Sequence, residues 1–357
     1  AARWDDARPA GVYVGESAVE PGPARCGVRL TWGRDAAAGT DWRYSVFLLL
    51  AFRSPVDGKR TNYRGEAGSA RRHESMMKLL STVAIVGVGL IGGSIGLALK
   101  KRKLAAEVVG IGRRQTSLRI ARRVGAVDAT TTDLAKGVAR AELIVICTPV
   151  DLIVDYARQA AEHCPEGTLI TDAGSTKARI VAALDGRLAR GCRFLGSHPL
   201  AGSEKSGSAH ASADLFEGRI ALITPTKSTH AEDYDMIERF WRSLGSVVVQ
   251  LSPDEHDRAL ALTSHLPHLT AAALMHTLPD SLFRLTGSGW LDTTRIAAGD
   301  AQLWTQIFLH NREHLLAALD RLDHCLAAFR DALRTADAAE IEKLLAFAAK
   351  NRNALGS

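Results

Sequence analysis

The sequence predicts an α/β fold with a mainly parallel sheet, followed by an all-helical region. From residue 82 to residue 251, short apolar runs rich in β-branched residues alternate with helix-like stretches. Such alternation is typical of βαβ units, in which helices connect parallel strands. After Ser252 and Pro253 the strand-like runs cease and Ala/Leu-rich helical patterns follow. We therefore expect two domains, formed by residues 76–251 and residues 252–357.

The apolar patterns also predict the individual elements. Strands are predicted over residues 82–87, 107–112, 142–147, 168–171, 219–225 and 246–251. Helices are predicted over residues 90–103, 117–124, 176–184 and 232–244, and after the boundary over residues 254–278, 301–317, 319–333 and 338–349. The stretches 254–278 and 315–328 are too apolar for the surface of a small domain, so we expect a homodimer interface to bury them.

Residues 1–75 differ from the rest of the chain. They are rich in Gly, Pro, Ala and Arg and show no sustained helical or strand period, as is typical of irregular chain. Met76 and Met77 come directly before the first strand pattern. We expect the functional protein to begin near Met76 and the leading segment to be a disordered or non-native extension. The alternative is a small domain around Trp32, Trp42 and Tyr44.

The composition excludes several classes of protein. Of the 357 residues, 46% are hydrophobic and 24% are charged, and the net charge is +6, all of which is ordinary for a soluble globular protein. No run of Lys and Arg interleaved with aromatic residues predicts nucleic-acid binding. The apolar stretch 46–52 is too short for a bilayer and lacks a signal-peptide pattern, so we expect a cytoplasmic protein without a membrane partner. Five cysteines without CxxC spacing indicate neither a disulfide framework nor a metal site.

Residues 87–92 (GVGLIG) carry the pattern GxGxxG between the first predicted strand and the first predicted helix. Glycine at positions 87, 89 and 92 permits a tight turn and a close approach of the backbone to a pyrophosphate. The helix N-terminus, which includes Leu90 and Ile91, offers free N–H groups to that anion. This context predicts a Rossmann-type dinucleotide-binding domain that uses Gly87, Gly89 and Gly92. A turn with a merely structural role is the alternative.

The residues after the second predicted strand indicate which nicotinamide cofactor binds. NAD sites carry an acidic residue there, which accepts hydrogen bonds from the adenosine 2′-hydroxyl. Here Gly112 is followed by Arg113 and Arg114, whose guanidinium groups suit a 2′-phosphate. We therefore expect NADP rather than NAD, with solvated loop charges as the alternative. Thr148, which follows the third predicted strand, is a further candidate cofactor-binding residue.

Four further segments carry polar side chains suited to substrate binding. They are residues 172–177 (DAGSTK), 197–204 (SHPLAGSE), 263–268 (TSHLPH) and 292–297 (DTTRIA). The first three are expected at the carboxyl edge of the sheet, where ligands bind in such folds, and the fourth between helices. Together with residues 89–94 (GLIGGS), these segments resemble the prephenate/arogenate dehydrogenase family over residues 77–357.

The resemblance implies a reaction and its base. Members of this family oxidise the C4 carbinol of prephenate by hydride transfer to NAD(P)⁺ and lose the ring carboxylate as CO2, which yields 4-hydroxyphenylpyruvate for tyrosine biosynthesis. His198 matches the family's catalytic histidine, and the near-neutral pKa of histidine suits a base for the 4-hydroxyl proton. Ser175 matches the serine that hydrogen-bonds near the reacting hydroxyl and the nicotinamide. Without the family match, His198 fits a structural role equally well, and Ser175 fits an N-cap of the helix that follows.

The resemblance also implies the substrate-binding residues. Arg295 matches the arginine that clamps a substrate carboxylate, which a planar guanidinium can do through two hydrogen bonds. Ser264 and His268 match residues that line the pocket, and they share a helix face if the predicted helix continues through Pro267. Glu204 matches a gate residue. Lys177 supports either its own loop or the anionic substrate.

Three alternative functions stay open. Glu204 and His268 favour prephenate, and the alternatives are an enzyme specific for arogenate and a cyclohexadienyl dehydrogenase that accepts both. A β-hydroxyacid dehydrogenase also joins a Rossmann domain to a helical one, although such enzymes typically use a lysine as the acid or base. The alternative from another class is a non-catalytic NADP-binding regulator, against which the joint presence of His198, Ser175 and Arg295 argues.

Overall fold

The computed structural model describes residues 79–202 and 207–355, so the leading segment 1–75 and Glu204 lie outside the described residues. The strands are β1 (Leu80–Val86), β2 (Ala105–Ile111), β3 (Ala129–Thr131), β4 (Leu143–Ile146), β5 (Leu169–Asp172), β6 (Arg193–Pro199), β7 (Ile220–Thr224) and β8 (Val247–Gln250). The helices that alternate with them are α1 (Leu90–Lys101), α2 (Gln115–Arg123), α3 (Leu134–Val138), α4 (Val150–His163), α5 (Ala178–Leu184) and α6 (Ala231–Ser243).

The strands form one sheet in the order β3-β2-β1-β4-β5-β6-β7-β8. All neighbouring strands are parallel except β6 and β7, which are antiparallel. The first six strands therefore follow the order of the doubly wound dinucleotide-binding fold, and the chain reverses direction across the sheet between β1 and β4. The predicted mainly parallel α/β fold is confirmed.

Two apolar cores cover the two faces of the sheet. Along β1, Val83 and Ile85 belong to the core that also contains Trp241 of α6, whereas Ala84 and Val86 belong to the opposite core. Because successive side chains of a strand point to opposite faces, a strand buried on both sides appears in the sequence as a continuous apolar run. This is why the central strands are predicted from the sequence.

Two strands and two helices of this region were not predicted. Strand β6 carries Gly196, Ser197, His198 and Pro199, residues that are unfavourable in strand interiors. Its polar groups are satisfied within the sheet, since the Ser197 hydroxyl donates to the backbone oxygen of Asp172 over 2.6 Å. Strand β3 has three residues. The helices that the sequence did not predict are α3 and α4.

The region after the sheet is helical, as predicted. Its helices are α7 (Pro253–Leu260), α8 (Leu266–His276), α9 (Ser288–Thr294), α10 (Ala301–His310), α11 (Arg312–Arg334) and α12 (Ala338–Ala354). The predicted break at residue 318 is wrong, because the helices separate at Asn311. That side chain is buried, and its amide donates to the backbone oxygen of Asp257 over 2.7 Å. Within residues 79–202 and 207–355 no helix is long and apolar enough to cross a membrane.

Candidate active site

The glycine turn after β1 gives its three glycines three different environments. Gly87 has a φ of +97°, and a Cβ there would lie 2.6 Å from the backbone oxygen of Cys147. A Cβ at Gly92 would lie 2.1 Å from the backbone oxygen of Gly87, whereas a Cβ at Gly89 would meet nothing within 4 Å. Gly87 therefore permits the turn, Gly92 permits close packing of α1, and Gly89 leaves open space before the helix. This is the division of roles that a dinucleotide pyrophosphate requires.

The N-terminus of α1 is open to a ligand. Gly89 is the N-cap residue, and no side chain caps the first turn, which contains Leu90 and Ile91. Nearby, Thr148 follows β4, and its backbone nitrogen lies 3.1 Å from the Cβ position of Gly87. The Thr148 hydroxyl is buried and has no hydrogen-bond partner among the described residues. Free N–H groups and an unpaired buried hydroxyl fit an anionic ligand that would satisfy them.

Arg113 and Arg114 follow β2 on the same edge of the sheet. Both residues are exposed, and Arg114 is the N-cap residue of α2. Neither guanidinium pairs with a carboxylate within the part of the chain that the structure describes. Two cations at the end of the second strand fit the 2′-phosphate of NADP.

The loop after β5 is organised by a buried ion pair. The Lys177 ammonium bonds to the Asp172 carboxylate, and both side chains are 0% exposed. The same carboxylate accepts hydrogen bonds from the backbone nitrogens of Gly174, over 2.9 Å, and Ser197, over 3.1 Å. A substrate-binding role for Lys177 is therefore contradicted, because its ammonium is enclosed and already paired. The lysine instead joins this loop to β6.

Ser175 lies in this loop and is half-buried. Helix α5 begins at Ala178 with Lys177 as its N-cap residue, so the predicted helix start at residue 176 and the N-cap role of Ser175 are wrong. The Asp257 carboxylate of α7 accepts the hydrogen bonds of the first amides instead, from Lys177 over 2.7 Å and from Ala178 over 2.9 Å. The Ser175 hydroxyl is thus not engaged in capping this helix.

His198 lies near the end of β6 and is half-buried. Its Nδ1 lies 2.9 Å from Nε2 of His256, and Nδ1 of His256 lies 2.8 Å from the Asp257 carboxylate. Burial, together with the nearby His256 and the Lys177 ammonium, holds the pKa of His198 well below its usual value. The imidazole is therefore neutral at neutral pH, which is the state that a general base requires.

His256 and Asp257 were not predicted as site residues. They lie in the first turns of α7, whose start is fixed by a capping box in which Ser252 and Glu255 bond each other's backbone nitrogens. In the sequence, a His-Asp pair after such a cap is indistinguishable from an exposed polar helix face. In the structure both residues are buried, because their partners come from β6 and α5.

A π-turn, Ala261–His265, joins α7 to α8, so the predicted helix over residues 254–278 is continuous but irregular. Pro267 explains the irregularity, because it lacks an N–H and its ring would clash with the backbone oxygen four residues earlier. On an unbroken helix, with about 100° of rotation per residue, the side chains of His256 and His268 would point in directions about 120° apart. The π-turn accommodates one extra residue, which reduces the angle between these directions to about 20°. The turn thereby directs His256 and His268 to one side.

His268 is stacked on an aromatic ring. The ring centroids of His268 and Trp304 are 3.5 Å apart, with 15° between the planes. A Cβ at Gly299 would lie 2.6 Å from Nε1 of Trp304 and 2.8 Å from Cε1 of His268, so glycine makes room for this stack. Ser264, four residues before His268, lies within the π-turn and is half-buried.

Arg295 begins a 3-10 turn, Arg295–Ala298, that directly follows α9. The predicted position of residues 292–297 between helices is therefore only partly right, because residues 292–294 end a helix. Arg295 lines a groove of about 700 Å³ whose walls include Ala272 and Met275 of α8. Ala272 follows His268 by one helical turn, so this groove continues the face of α8 that carries His268.

The predicted site residues thus lie in two groups in the structure. The glycine turn, Thr148, Ser175 and His198 follow neighbouring strands at the carboxyl edge of the sheet, while His268 and Arg295 lie on α8 and the turn packed against it. Helix α7 and the π-turn join the two groups through His256. A nucleotide-binding edge with a neutral histidine beside it defines the class of dinucleotide-dependent dehydrogenases.

Comparisons with known proteins identify the family within this class. Residues 95–250 match the family model of the prephenate dehydrogenase nucleotide-binding domain, and residues 252–347 match that of the prephenate dehydrogenase dimerization domain. Prephenate dehydrogenase of Bacillus subtilis is 34% identical over 270 residues, which cover 73% of this chain and 71% of the relative. Cyclohexadienyl dehydrogenase of Zymomonas mobilis is 31% identical and covers 73% of this chain and 91% of its own length.

A solved structure is similar as well. The crystal structure of prephenate dehydrogenase from A. aeolicus in complex with hydroxyphenyl propionate and NAD⁺ has a TM-score of 0.72 and 32% sequence identity. The match covers 77% of this chain and 98% of that chain. The chain belongs to the prephenate/arogenate dehydrogenase family and is an oxidoreductase, which confirms the resemblance found in the sequence.

The different environments of the motif glycines give a test of the nucleotide site. We expect Gly89→Ala to fold normally but to bind NADP and NAD at least about tenfold more weakly, a loss of about 1.4 kcal/mol, because its methyl group occupies the space of the pyrophosphate. Titration calorimetry measures the affinity, and urea denaturation measures the free energy of unfolding. The matched control is Gly92→Ala, whose methyl group meets backbone and which should lose about 1–3 kcal/mol of stability. Unchanged nucleotide affinity in Gly89→Ala would contradict this site.

Proposed function

We propose that this protein is a prephenate dehydrogenase, which converts prephenate to 4-hydroxyphenylpyruvate and CO2 with reduction of NAD(P)⁺ in tyrosine biosynthesis. The observation that carries the proposal is a neutral, half-buried His198 on the same sheet edge as the open glycine turn. Family membership supports the substrate, since the relatives in Bacillus subtilis and A. aeolicus bear the name prephenate dehydrogenase.

The order of residues along the sheet edge supports this assignment. The glycine turn follows β1, Thr148 follows β4, Ser175 follows β5 and His198 ends β6, and these four strands are consecutive neighbours. Neighbouring strands are about 4.8 Å apart, so three steps span about 14 Å. A pyrophosphate would bind at α1, and the nicotinamide half of the dinucleotide together with the substrate ring would occupy the distance to Ser175 and His198.

The chemistry needs a base that holds a proton for a short time. The cofactor, when bound at this edge, would supply a hydride acceptor for C4 of the substrate. His198 takes the proton of the 4-hydroxyl group, and Ser175 hydrogen-bonds that hydroxyl and orients it. Prephenate and NAD(P)⁺ give 4-hydroxyphenylpyruvate, CO2 and NAD(P)H without net release of a proton. The proton that His198 removes therefore returns to the ring oxygen once loss of CO2 has made the ring aromatic.

The substrate carries two carboxylates, and the helical region supplies groups that suit them. Arg295 provides a planar guanidinium at the groove beside α8, which can bind a carboxylate through two hydrogen bonds. Ser264, in the π-turn, and His268, one helical turn before Ala272 of the groove wall, are the further residues that we assign to the substrate. Glu204, the proposed gate residue, belongs to the segment between His198 and the turn Ser208–His210.

NADP is the cofactor that the exposed Arg113 and Arg114 favour. A guanidinium beside a 2′-phosphate forms charge-assisted hydrogen bonds that the 2′-hydroxyl of NAD cannot match. The A. aeolicus relative was solved with NAD⁺, so NAD is the cofactor to compare.

We further propose that residues 252–357 form a dimerisation domain and that two copies associate through it. Its helices expose large apolar side chains, among them Leu291 at 60%, Leu309 at 56% and Leu316 at 54%. Such a surface is unfavourable in water unless a partner covers it. The match of residues 252–347 to a dimerization domain supports a second copy as that partner.

The activity is tested by absorbance at 340 nm with prephenate or L-arogenate and with either cofactor. We expect prephenate to be oxidised, and His198→Asn to reduce kcat by about 10²–10⁴-fold because the base is lost. The matched control is His163→Asn at the exposed end of α4, which should keep full activity. Activity with arogenate alone assigns the arogenate alternative, and equal rates assign the cyclohexadienyl one. Folded protein without activity in all four combinations would favour the non-catalytic regulator or a β-hydroxyacid dehydrogenase.

Cofactor choice is tested with the double variant Arg113→Ala/Arg114→Ala. We expect the ratio of kcat/KM for NADP to kcat/KM for NAD to fall by at least about tenfold, since hydrogen bonds to charged groups contribute about 1.5–3 kcal/mol. Arg123→Ala, at the opposite end of α2, serves as the control and should leave the ratio unchanged. A wild-type enzyme that prefers NAD would overturn the NADP assignment.

The dimer is tested by sedimentation equilibrium. We expect the wild type to sediment as a dimer and Leu309→Asp to shift it towards monomer, because a buried unpaired carboxylate opposes association. Leu79→Asp, at a similarly exposed leucine before β1, is the control and should stay dimeric. A wild type that remains monomeric at every concentration would exclude the proposed association.

A further inference from the structure

We propose that His256 and Asp257 are positioning residues that fix the tautomer of His198, so that Nε2 of His198 is the proton acceptor. This inference rests on the proposed function in one respect, namely that His198 is the base. It goes beyond it by naming the nitrogen that takes the proton and the two residues that keep this nitrogen unprotonated.

The first step concerns the Asp257 carboxylate. It accepts hydrogen bonds from the backbone nitrogens of Lys177 and Ala178, over 2.7 Å and 2.9 Å. Burial alone would raise the pKa of Asp257, but the hydrogen bonds from His256 and from these amides outweigh burial and leave the pKa lowered. The carboxylate is therefore ionised and acts only as an acceptor.

The second step assigns the hydrogens of the two imidazole rings, starting from this carboxylate. Nδ1 of His256 lies 2.8 Å from Asp257 and must carry a hydrogen, because the carboxylate cannot donate one. Nε2 of the neutral His256 is then an acceptor, so Nδ1 of His198, 2.9 Å away, must donate to it. A neutral imidazole carries one hydrogen. With that hydrogen on Nδ1, Nε2 of His198 keeps its lone pair and faces away from His256.

The third step is that the hydrogen-bonded series of Asp257, His256 and His198 is held rigidly. His256 is 0% exposed and Asp257 is 1% exposed. The Asp257 backbone oxygen accepts a hydrogen bond from Asn311, which lies between α10 and α11, while the Asp257 side chain bonds the start of α5. Rotation of either ring would leave buried polar groups unpaired, which costs about 1–3 kcal/mol for each group.

The fourth step concerns the charges around the two rings. The Lys177 ammonium and the carboxylates of Asp172 and Asp257 act on His256, and Lys177 and His265 act on His198. Burial lowers the pKa of His265 to about 4, so that ring is neutral. Of these charges, the Lys177 ammonium acts on His198 and opposes its protonation, whereas the two carboxylates act on His256. The carboxylates therefore reach His198 only through the hydrogen bond of His256, and Lys177 keeps the resting imidazole of His198 neutral.

A purely structural role makes a different prediction. If Asp257 only caps α5, its loss would lower stability and leave the tautomer of His198 unchanged. If Asp257 fixes the tautomer, Asp257→Asn reverses it in the orientation in which the amide oxygen accepts from the Ala178 backbone and the amide N–H replaces the carboxylate oxygen that faces His256. His256 then donates from Nε2, and His198 is driven to carry its hydrogen on Nε2, where it cannot act as the base.

The direct test is nitrogen NMR of the full-length protein labelled with ¹⁵N-histidine, with His198→Asn used for assignment. In the wild type at neutral pH we expect Nδ1 of His198 to be protonated and Nε2 to be unprotonated, and in Asp257→Asn we expect the reverse. This readout does not depend on the substrate. If the wild type carries the hydrogen on Nε2, the proposal is overturned even when prephenate is oxidised. The expected tautomer with no prephenate activity would instead overturn only the proposed function.

Kinetics give the second readout. We expect Asp257→Asn to lower kcat with prephenate by about 10²–10⁴-fold, the scale seen when a catalytic histidine is held in the wrong tautomer, while KM stays within about threefold. The control is Ser252→Ala, which removes the cap of α7, costs about 0.5–2 kcal/mol of stability and should leave kcat and the tautomer unchanged. An Asp257→Asn variant that keeps wild-type kcat, or that loses no more activity than Ser252→Ala at equal stability, refutes the positioning role. If Asp257→Asn does not fold, the wild-type spectrum alone decides.

Discussion

The carboxylate of Asp257 is the point on which the arrangement of the site depends. It accepts hydrogen bonds from the first backbone amides of α5 and from Nδ1 of His256, while the backbone oxygen of Asp257 accepts one from Asn311, between α10 and α11. Three elements that are distant in the sequence therefore meet at one residue. Because the carboxylate is buried, each of these hydrogen bonds is costly to lose. The loop after β5, the strand end that carries His198 and the helical region consequently keep a fixed relation to one another.

A buried ion pair also organises the loop after β5 and the strand that carries His198. Lys177 and Asp172 are fully buried, and Asp172 also binds the backbone of β6 through Ser197. A buried ion pair is seldom a source of stability, because desolvation offsets the attraction. Here it supplies position and charge: the carboxylate joins two strand ends, and the ammonium helps to keep the imidazoles neutral. Gly196 makes room for this pair, since a Cβ there would lie 3.1 Å from Cδ of Lys177.

The parts of the molecule that the sequence predicts are those determined by local pattern. The central strands follow from apolar runs buried on both sides, and the glycine turn follows from the steric needs of positions 87 and 92. The parts that it does not predict depend on contacts distant in the chain. Strand β6 carries residues that disfavour strands, and only the sheet around it satisfies them. Lys177 looks like a substrate cation until Asp172 is seen beside it.

His256 and Asp257 show the same limit for the site. Asp257 acts through the start of α5, 80 residues earlier, and His256 acts through His198, 58 residues earlier. No spacing within α7 indicates these partners. Ser175 illustrates the converse error, in which a local rule assigned it a cap that a distant carboxylate supplies instead. The assignments of Arg113, Arg114, Thr148 and Arg295 rest on chemistry and family pattern, and they remain predictions.

The π-turn between α7 and α8 makes the length of this segment as important as its composition. Leu262 and Thr263 of the turn can vary in size because both are exposed. A single residue added or removed there would turn α8 about its axis by about 100°. The stack on Trp304 and the wall of the groove would then face a different direction, although no residue in either had changed. Insertions and deletions in residues 261–265 therefore change how α8 presents its side chains to the substrate. The number of residues in this segment, and not only their identity, determines the orientation of α8 relative to α7.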